Sequence, residues 1–222
     1  MRVLSVVGNR PQFIKSAPLS AALEAAGIEE VLLHTGQHYD RELSQLFFEE
    51  LGLGEPTYRL EVGSLPHDEM IERMRPGILA AIETEKPDWV LVFGDTNSTL
   101  AGARVAHDAG VSVAHVEAGL RSGDWSMPEE RNRVEVDRLA QLLLCPDERS
   151  AKTLASEGAG RSEEHTSELQ SPERNPASTW ATGTPLSLAT RAPARVEFVS
   201  PKTSTQSGFS VSIAARIPGR MR

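Results

Sequence analysis

The sequence has a single cysteine, Cys145. One thiol excludes an internal disulfide and any zinc site built on several thiolates. Cys145 closes the apolar run Leu142-Leu143-Leu144-Cys145, so it reads as a buried strand residue rather than a nucleophile. Basic charge is also in deficit: 23 Lys and Arg against 31 Asp and Glu give a formal net charge of -8. Nucleic acid and anionic membrane surfaces need a basic patch, so neither is expected as a partner. Long hydrophobic runs are missing too, the apolar stretches falling far below the ~20 residues of a membrane span. The N-terminal run from Met1 starts with a positive charge, but Gly8-Asn9-Arg10-Pro11 interrupts it too early for a signal peptide. The expected protein is soluble and cytoplasmic. P-loop and Gly-x-Gly-x-x-Gly turns are absent, which removes the usual nucleotide signatures, and no internal repeat is visible.

What is present is an alternation of short β-branched runs with longer helical patterns. Residues 3–7, 31–35, 89–93, 111–116 and 142–145 read as strands. Helical patterns cover 11–26, 40–51, 67–84, 96–109, 129–140 and 147–157, several of them closed by glycine at 27, 52 or 110. In the third, Met70, Ile71, Met74, Ile78 and Ile82 recur near helical spacing, and Pro76 predicts a kink or break. Alternation of this kind implies a parallel sheet covered on both faces, because parallel neighbours need a crossover. The expected fold over residues 1–158 is α/β, a Rossmann-like doubly wound parallel sheet.

Past Gly158 the pattern changes. Residues up to 157 carry a net charge of -11 and the remainder +3, and residues 160–222 are rich in Ser, Thr, Pro, Ala and Arg without sustained periodicity. The stretch Arg161-Ser162-Glu163-Glu164-His165-Thr166-Ser167-Glu168-Leu169-Gln170-Ser171 resembles the in-frame translation of a widely used DNA-sequencing adapter. Residues 159–222 are therefore expected to be an unstructured, artefactual tail. Glu163, Glu164 and His165 are accordingly not read as a metal site.

In an open parallel sheet, ligands bind beyond the carboxyl ends of the strands. Four polar loops fall on that edge: Gly8-Asn9-Arg10-Pro11, His34-Thr35-Gly36-Gln37-His38, Gly94-Asp95-Thr96-Asn97-Ser98-Thr99 and Glu117-Ala118-Gly119-Leu120-Arg121. Gly8 lets backbone approach a ligand, and the free N–H groups of the following helix favour an anion such as a diphosphate. Arg10 offers a planar fork for phosphate oxygens, and Lys15, one turn on, adds a point charge; a plain turn with two solvated bases is the alternative. Asp95 is either an acid–base group or the cap of the helix at Thr96. Glu117 ends an apolar strand, where a carboxylate is partly desolvated. Glu129 and Glu130 either favour a helix start or, with Arg131, Asn132 and Arg133 beside them, join a carboxylate–base set suited to proton transfer on an anionic substrate. His38, His107 and His115 are alternative acid–base candidates; His107 reads as a surface residue and His115 as a hydrogen-bonded core or cleft residue.

Together with Pro128-Glu129-Glu130-Arg131-Asn132-Arg133, these motifs occur in an order and spacing that resemble the N-terminal domain of the non-hydrolysing UDP-N-acetylglucosamine 2-epimerases over residues 1–158. The resemblance implies the N-terminal half of a two-domain glycosyltransferase-B-like fold, with the active site between the domains. It implies inversion at C2 of a UDP-HexNAc-type sugar by elimination of UDP to a glycal and re-addition. Asp95, Glu117 and Glu129 would be the catalytic carboxylates; Arg10 and Lys15 would bind substrate on its diphosphate side, with Arg133 supporting the cluster. Gln37 and His38 match a loop that in some members binds an activating UDP-sugar. A UDP-sugar substrate and a homodimeric parent are implied, and neither metal nor nicotinamide cofactor.

Two departures bear on this. Gln12-Phe13 replaces the glutamate that commonly follows Arg-Pro, and the segment from Arg121 to Pro128 is short; the first looks more like members acting on UDP-2,3-diacetamido-glucuronate. Nothing after Gly158 resembles the family's second domain, so the chain is expected to be truncated and inactive as it stands. A glycosyltransferase-B-type UDP-sugar transferase and a non-catalytic nucleotide-sugar-binding module are the other readings. Asp95, Glu117 and the Glu129-Glu130 pair favour the epimerase, because transfer to an acceptor does not need that carboxylate set.

Overall fold

Strand β1 (Arg2–Val7) is apolar on both faces, and that fixes its place in the middle of the sheet. Leu4 and Val6 point into one core, Val3 and Val7 into the other, and all four are buried. The computed structural model describes residues 1–37, 48, 50–158 and the strand at 212–215. On one side β1 pairs in parallel with β2 (Glu29–His34), which pairs with the two-residue β3 (Tyr58–Arg59). On the other it pairs with β4 (Trp89–Phe93), followed by β5 (Ser112–Val116) and β6 (Leu142–Cys145). The order 3-2-1-4-5-6 is that of the doubly wound dinucleotide-binding sheet, with the strand order reversing between β1 and β4.

Among the described residues, five helices of more than two turns cover the two faces. Helix α1 (Arg10–Ala25) packs Phe13 against Val3, Val7, Leu91 and Phe93. Opposite lie α2 (His67–Glu85), α3 (Asn97–Asp108), α4 (Pro128–Leu139) and α5 (Glu148–Ser156). Met74 and Ile78 of α2 are wholly buried against β1, β2 and β4 residues, each burial worth roughly 2 kcal/mol. Helix α2 runs unbroken through Pro76, contrary to a break there. Pro76 is exposed, so water can solvate the carbonyl it leaves unpaired, and the buried stripe from Met70 to Ile82 continues on both sides of it. Cys145 is buried, and desolvation pushes its thiol up to about 11, which leaves it unreactive.

Of the helix expected over 40–51, most lies outside the described residues, although Phe48 is buried against Phe13 with ring centroids 4.7 Å apart. The expectation for residues 159–222 also lies largely outside them. It does not hold at Ser212–Ala215, which form β7 antiparallel to β6. β6 would otherwise be a sheet edge, and its free N–H and C=O groups pair with whatever extended segment reaches them. Among the described residues no helix is long and apolar enough to cross a membrane.

His34, at the end of β2, is 2% exposed and packs edge-on against Phe13 and Phe48. Its Nε2 has no hydrogen-bond partner. Burial, reinforced by the nearby Arg59 charge, pushes its pKa down to about 4 from 6.5. The unfolded chain therefore takes up a proton below about 6.5 that the folded chain refuses until about 4, so stability falls with pH across that window. Chemical denaturation at pH 7 and pH 5 should show wild type losing about 2 kcal/mol more than His34→Phe; equal losses would mean His34 is not the group responsible.

Candidate active site

The reversal between β1 and β4 brings the Gly8–Asn9 and Gly94–Asp95 turns side by side. Gln12 ties them together. Its Oε1 accepts from Gly8 N at 2.6 Å, and its Nε2 donates to Phe93 O at 2.7 Å and to the hydroxyls of Thr96 and Thr99, both at 3.0 Å. The side chain is 1% exposed, so these bonds are made without competition from water. Asn9 caps α1 by accepting from Gln12 N, and Arg10 opens the helix on the solvent side. Gly8 is required by close approach: a Cβ there would stand 2.0 Å from Ser98 Oγ and 2.5 Å from Thr35 Oγ1. Those hydroxyls bond each other at 2.8 Å, and Gln37 Oε1 accepts from Ser98 Oγ at 2.8 Å, which links the β2, β1 and β4 loops.

Among the described residues, Lys15–Glu117 and Arg133–Asp95 are base–carboxylate pairs at this edge. Lys15 Nζ donates to Glu117 Oε2, both side chains half-buried. Arg133 Nη2 donates to Asp95 Oδ2, and its Nη1 lies 3.0 Å from Glu130 Oε2. Glu117 has φ +71°, in the left-handed region that a side chain occupies at a cost of about 1 kcal/mol or more. Its N–H and that of Ala118 both donate to Leu144 O, and these bonds hold the backbone there. Glu130 is buried and accepts from Ser122 N, Ser122 Oγ and Gly123 N, each at 3.0 Å. Burial alone would raise its pKa, but those donors and Arg133 outweigh it and hold the carboxyl below its usual value.

The expected site residues divide accordingly. Lys15 with Glu117 and Asp95 with Arg133 are brought into contact. Asp95 does not cap α3; Thr96 does, its hydroxyl accepting from Thr99 N. Asp95 is left to the ion pair instead. Glu129 is exposed, and the neighbouring Glu130 takes the inward place. Gln37 is buried, while His38 lies outside the described residues. His107 is on the surface of α3, and His115 is wholly buried. Sequence reasoning missed Gln12 as a clasp and Asp137, and it placed Asn132 in the carboxylate–base set without its bond, the buried amide donating to Asp95 O at 2.9 Å. The signal available for α4 was spacing: Glu130, Arg133 and Asp137 fall three and four apart, on one helix face.

A doubly wound α/β domain with paired bases and carboxylates at its strand-order reversal is the class these observations define. A family model described as UDP-N-acetylglucosamine 2-epimerase matches residues 21–166. The chain is 46% identical over 162 residues to the UDP-2,3-diacetamido-2,3-dideoxy-D-glucuronate 2-epimerase of Pseudomonas aeruginosa, covering 72% of this chain and 46% of that protein. It is 46% identical over 158 residues to the UDP-N-acetylglucosamine 2-epimerase of Methanocaldococcus jannaschii, covering 71% and 43%. A crystal structure of the M. jannaschii UDP-GlcNAc 2-epimerase in complex with UDP-GlcNAc and UDP matches 71% of this chain and 44% of its own, with a TM-score of 0.69. The chain belongs to the UDP-N-acetylglucosamine 2-epimerase family. It spans about half the length of the curated relatives it matches.

The clasp makes a prediction independent of activity. Gln12→Met keeps the bulk but strands the Gly8 N–H and removes the donor to Phe93 O and the Thr96 and Thr99 hydroxyls, and should lower unfolding free energy by about 2–3 kcal/mol in urea titration. A loss below ~0.5 kcal/mol would show that water replaces those bonds.

Proposed function

We propose that this chain is the N-terminal half of a non-hydrolysing UDP-sugar 2-epimerase, with the carboxylates of Asp95 and Glu117 as its proton-transfer groups. The observation that carries this reading is the pairing of Glu117 with Lys15 and of Asp95 with Arg133 on adjacent loops at one strand edge. Inversion at C2 needs a proton removed from one face of that carbon and returned to the other. As the first carboxylate takes the C2 proton, the C1–O bond to UDP breaks and a glycal forms. Protonation from the opposite face and re-formation of the C1–O bond give the epimer, with no net oxidation. Two carboxylates on separate loops suit a two-faced transfer, and cations beside them oppose the negative charge that builds on the departing UDP.

In this reading Arg10 and Lys15 bind the diphosphate, and Lys15 is drawn from Glu117 as it does so. Arg133 holds Asp95, and Glu129, exposed at the start of α4, completes the carboxylate set. Gln37 and His38 belong to an effector-binding loop, the parent enzyme is a homodimer, and the reaction runs without metal or nicotinamide. Residues 1–158 form the Rossmann-like domain of a glycosyltransferase-B-like pair, and residues 159–222 are an artefactual tail, although the family match runs on to residue 166. The substrate is a UDP-HexNAc. The P. aeruginosa relative and Gln12, which follows Arg10-Pro11, favour UDP-2,3-diacetamido-glucuronate as a second reading.

The test joins residues 1–158 to the C-terminal half of the M. jannaschii relative and supplies each sugar nucleotide in D2O. The expected product is the 2-epimer carrying deuterium at C2; release of free sugar, or transfer to an acceptor, would reject the reading. In the same protein Asp95→Asn and Glu117→Gln should each lower kcat by about 10²–10⁴-fold with KM little changed. Turnover unchanged in both would remove them from the mechanism.

A further inference from the structure

Behind the two carboxylate loops lies a buried pair that the proposed reaction does not use. His115, in β5, is 0% exposed, and Asp137, in α4, is 3% exposed. His115 Nδ1 meets Asp137 Oδ1 at 2.7 Å, and His115 Nε2 meets Gly94 O at 2.7 Å. The second carboxylate oxygen, Oδ2, accepts from Gly119 N at 3.1 Å and from Arg121 Nη1 at 2.7 Å. Arg121 in turn bonds Glu157 through Nε at 2.9 Å and Nη2 at 2.7 Å.

The directions of these bonds are constrained. A carbonyl oxygen only accepts, so Nε2 carries a hydrogen. Burial alone would raise the Asp137 pKa, yet His115 and Arg121 outweigh it and hold the carboxyl below its usual range, so it too only accepts. With Nε2–H given to Gly94 O and Nδ1 against Asp137 Oδ1, both ring nitrogens are engaged and the ring has no freedom to turn.

The outer ends of this chain fall at informative places. Gly94 immediately precedes Asp95, and Gly119 lies two residues after Glu117. Gly119 has φ +81°, and a Cβ there would meet Ser150 O at 2.4 Å, so the loop is fitted to α5 with no slack. One carboxylate on α4 thus grips the loop that follows Glu117 directly and the turn that carries Asp95 through His115. The same helix, one turn earlier, supplies Arg133 to Asp95. α4 sets the Asp95 side chain from one end and its backbone from the other.

We propose that Asp137 and His115 are positioning residues: a buried dyad that fixes the separation of the Asp95 and Glu117 loops and so sets the geometry of proton transfer. The proposal rests on the epimerase reading for its catalytic meaning, while its physical content does not. Neither side chain contacts the proposed substrate face, and neither is a proton donor to it.

The test uses the 222-residue chain labelled with ¹⁵N. Ring-nitrogen correlation spectra of wild type at pH 7 should show a hydrogen on Nε2 of His115, the nitrogen that faces Gly94 O; an Nε2 without one overturns the proposal without any variant. Asp137→Asn should shift the backbone amides of both Gly94–Asp95 and Glu117–Gly119. In a His115→Gln background the same substitution should still shift Gly119 but leave Gly94 unmoved, because its route is gone. Equal Gly94 shifts with and without His115 would show that Asp137 acts through general packing, and the dyad would fall. In the joined protein used for product analysis, Asp137→Asn should lower kcat by about 10–100-fold with KM within a few-fold. Lost turnover in wild type, with the ring and amide results intact, would reject the epimerase reading and leave the dyad standing.

Discussion

The structure depends on parallel pairing between β1 and β4. Parallel neighbours cannot be joined by a tight turn, so each connection must cross a face as a helix and return to the same end. Every loop leading from a strand into a helix then opens on one edge. Where the strand order reverses, two such loops part to opposite faces and leave a crevice. The placement of Gly8, Asp95 and Glu117 within reach of one another follows from that constraint, with no need for proximity in sequence. Gln12 converts the crevice from a tendency into a fixed shape by bonding both of its walls.

Electrostatics at this edge is organised as matched pairs. The N-terminal 157 residues carry a large negative excess, yet the bases that face the crevice, Lys15 and Arg133, are each held by a carboxylate. Half-burial makes such pairs matter more than surface ion pairs, which contribute about 0–1 kcal/mol. The wholly buried members, Glu130 and Asp137, are different in kind. Each is saturated with donors, so they hold loops in place and are not free to exchange protons with a ligand. The division suits a site in which mobile charge is confined to the rim and fixed charge lies beneath it.

Much of this was legible in the sequence, for identifiable reasons. The strands at 3–7 and 89–93 are buried on both faces, so their apolar runs are uninterrupted and easy to find. The loops after them are polar because they face the crevice. β3 was not found, since two residues, Tyr58 and Arg59, carry no periodicity. Pro76 misled because a lost hydrogen bond is local, while the buried stripe on α2 spans the whole helix. Asp95 could be read as a cap because Thr96 beside it has equal chemistry for that work, and only the position of Arg133 decides between them. Glu130 and Asp137 were unreadable as buried groups, because an acidic residue in a helix is usually on its wet side and only the donors brought by other loops explain the reverse.

Glu117 shows how such a site stands in relation to folding. Its backbone sits at φ +71°, a conformation glycine adopts without strain and glutamate does not. Replacement by glycine would therefore relieve about 1 kcal/mol of strain while deleting the carboxylate. The fold thus gains nothing from a side chain on that backbone itself; what glutamate adds to the structure there is its pairing with Lys15 across the crevice.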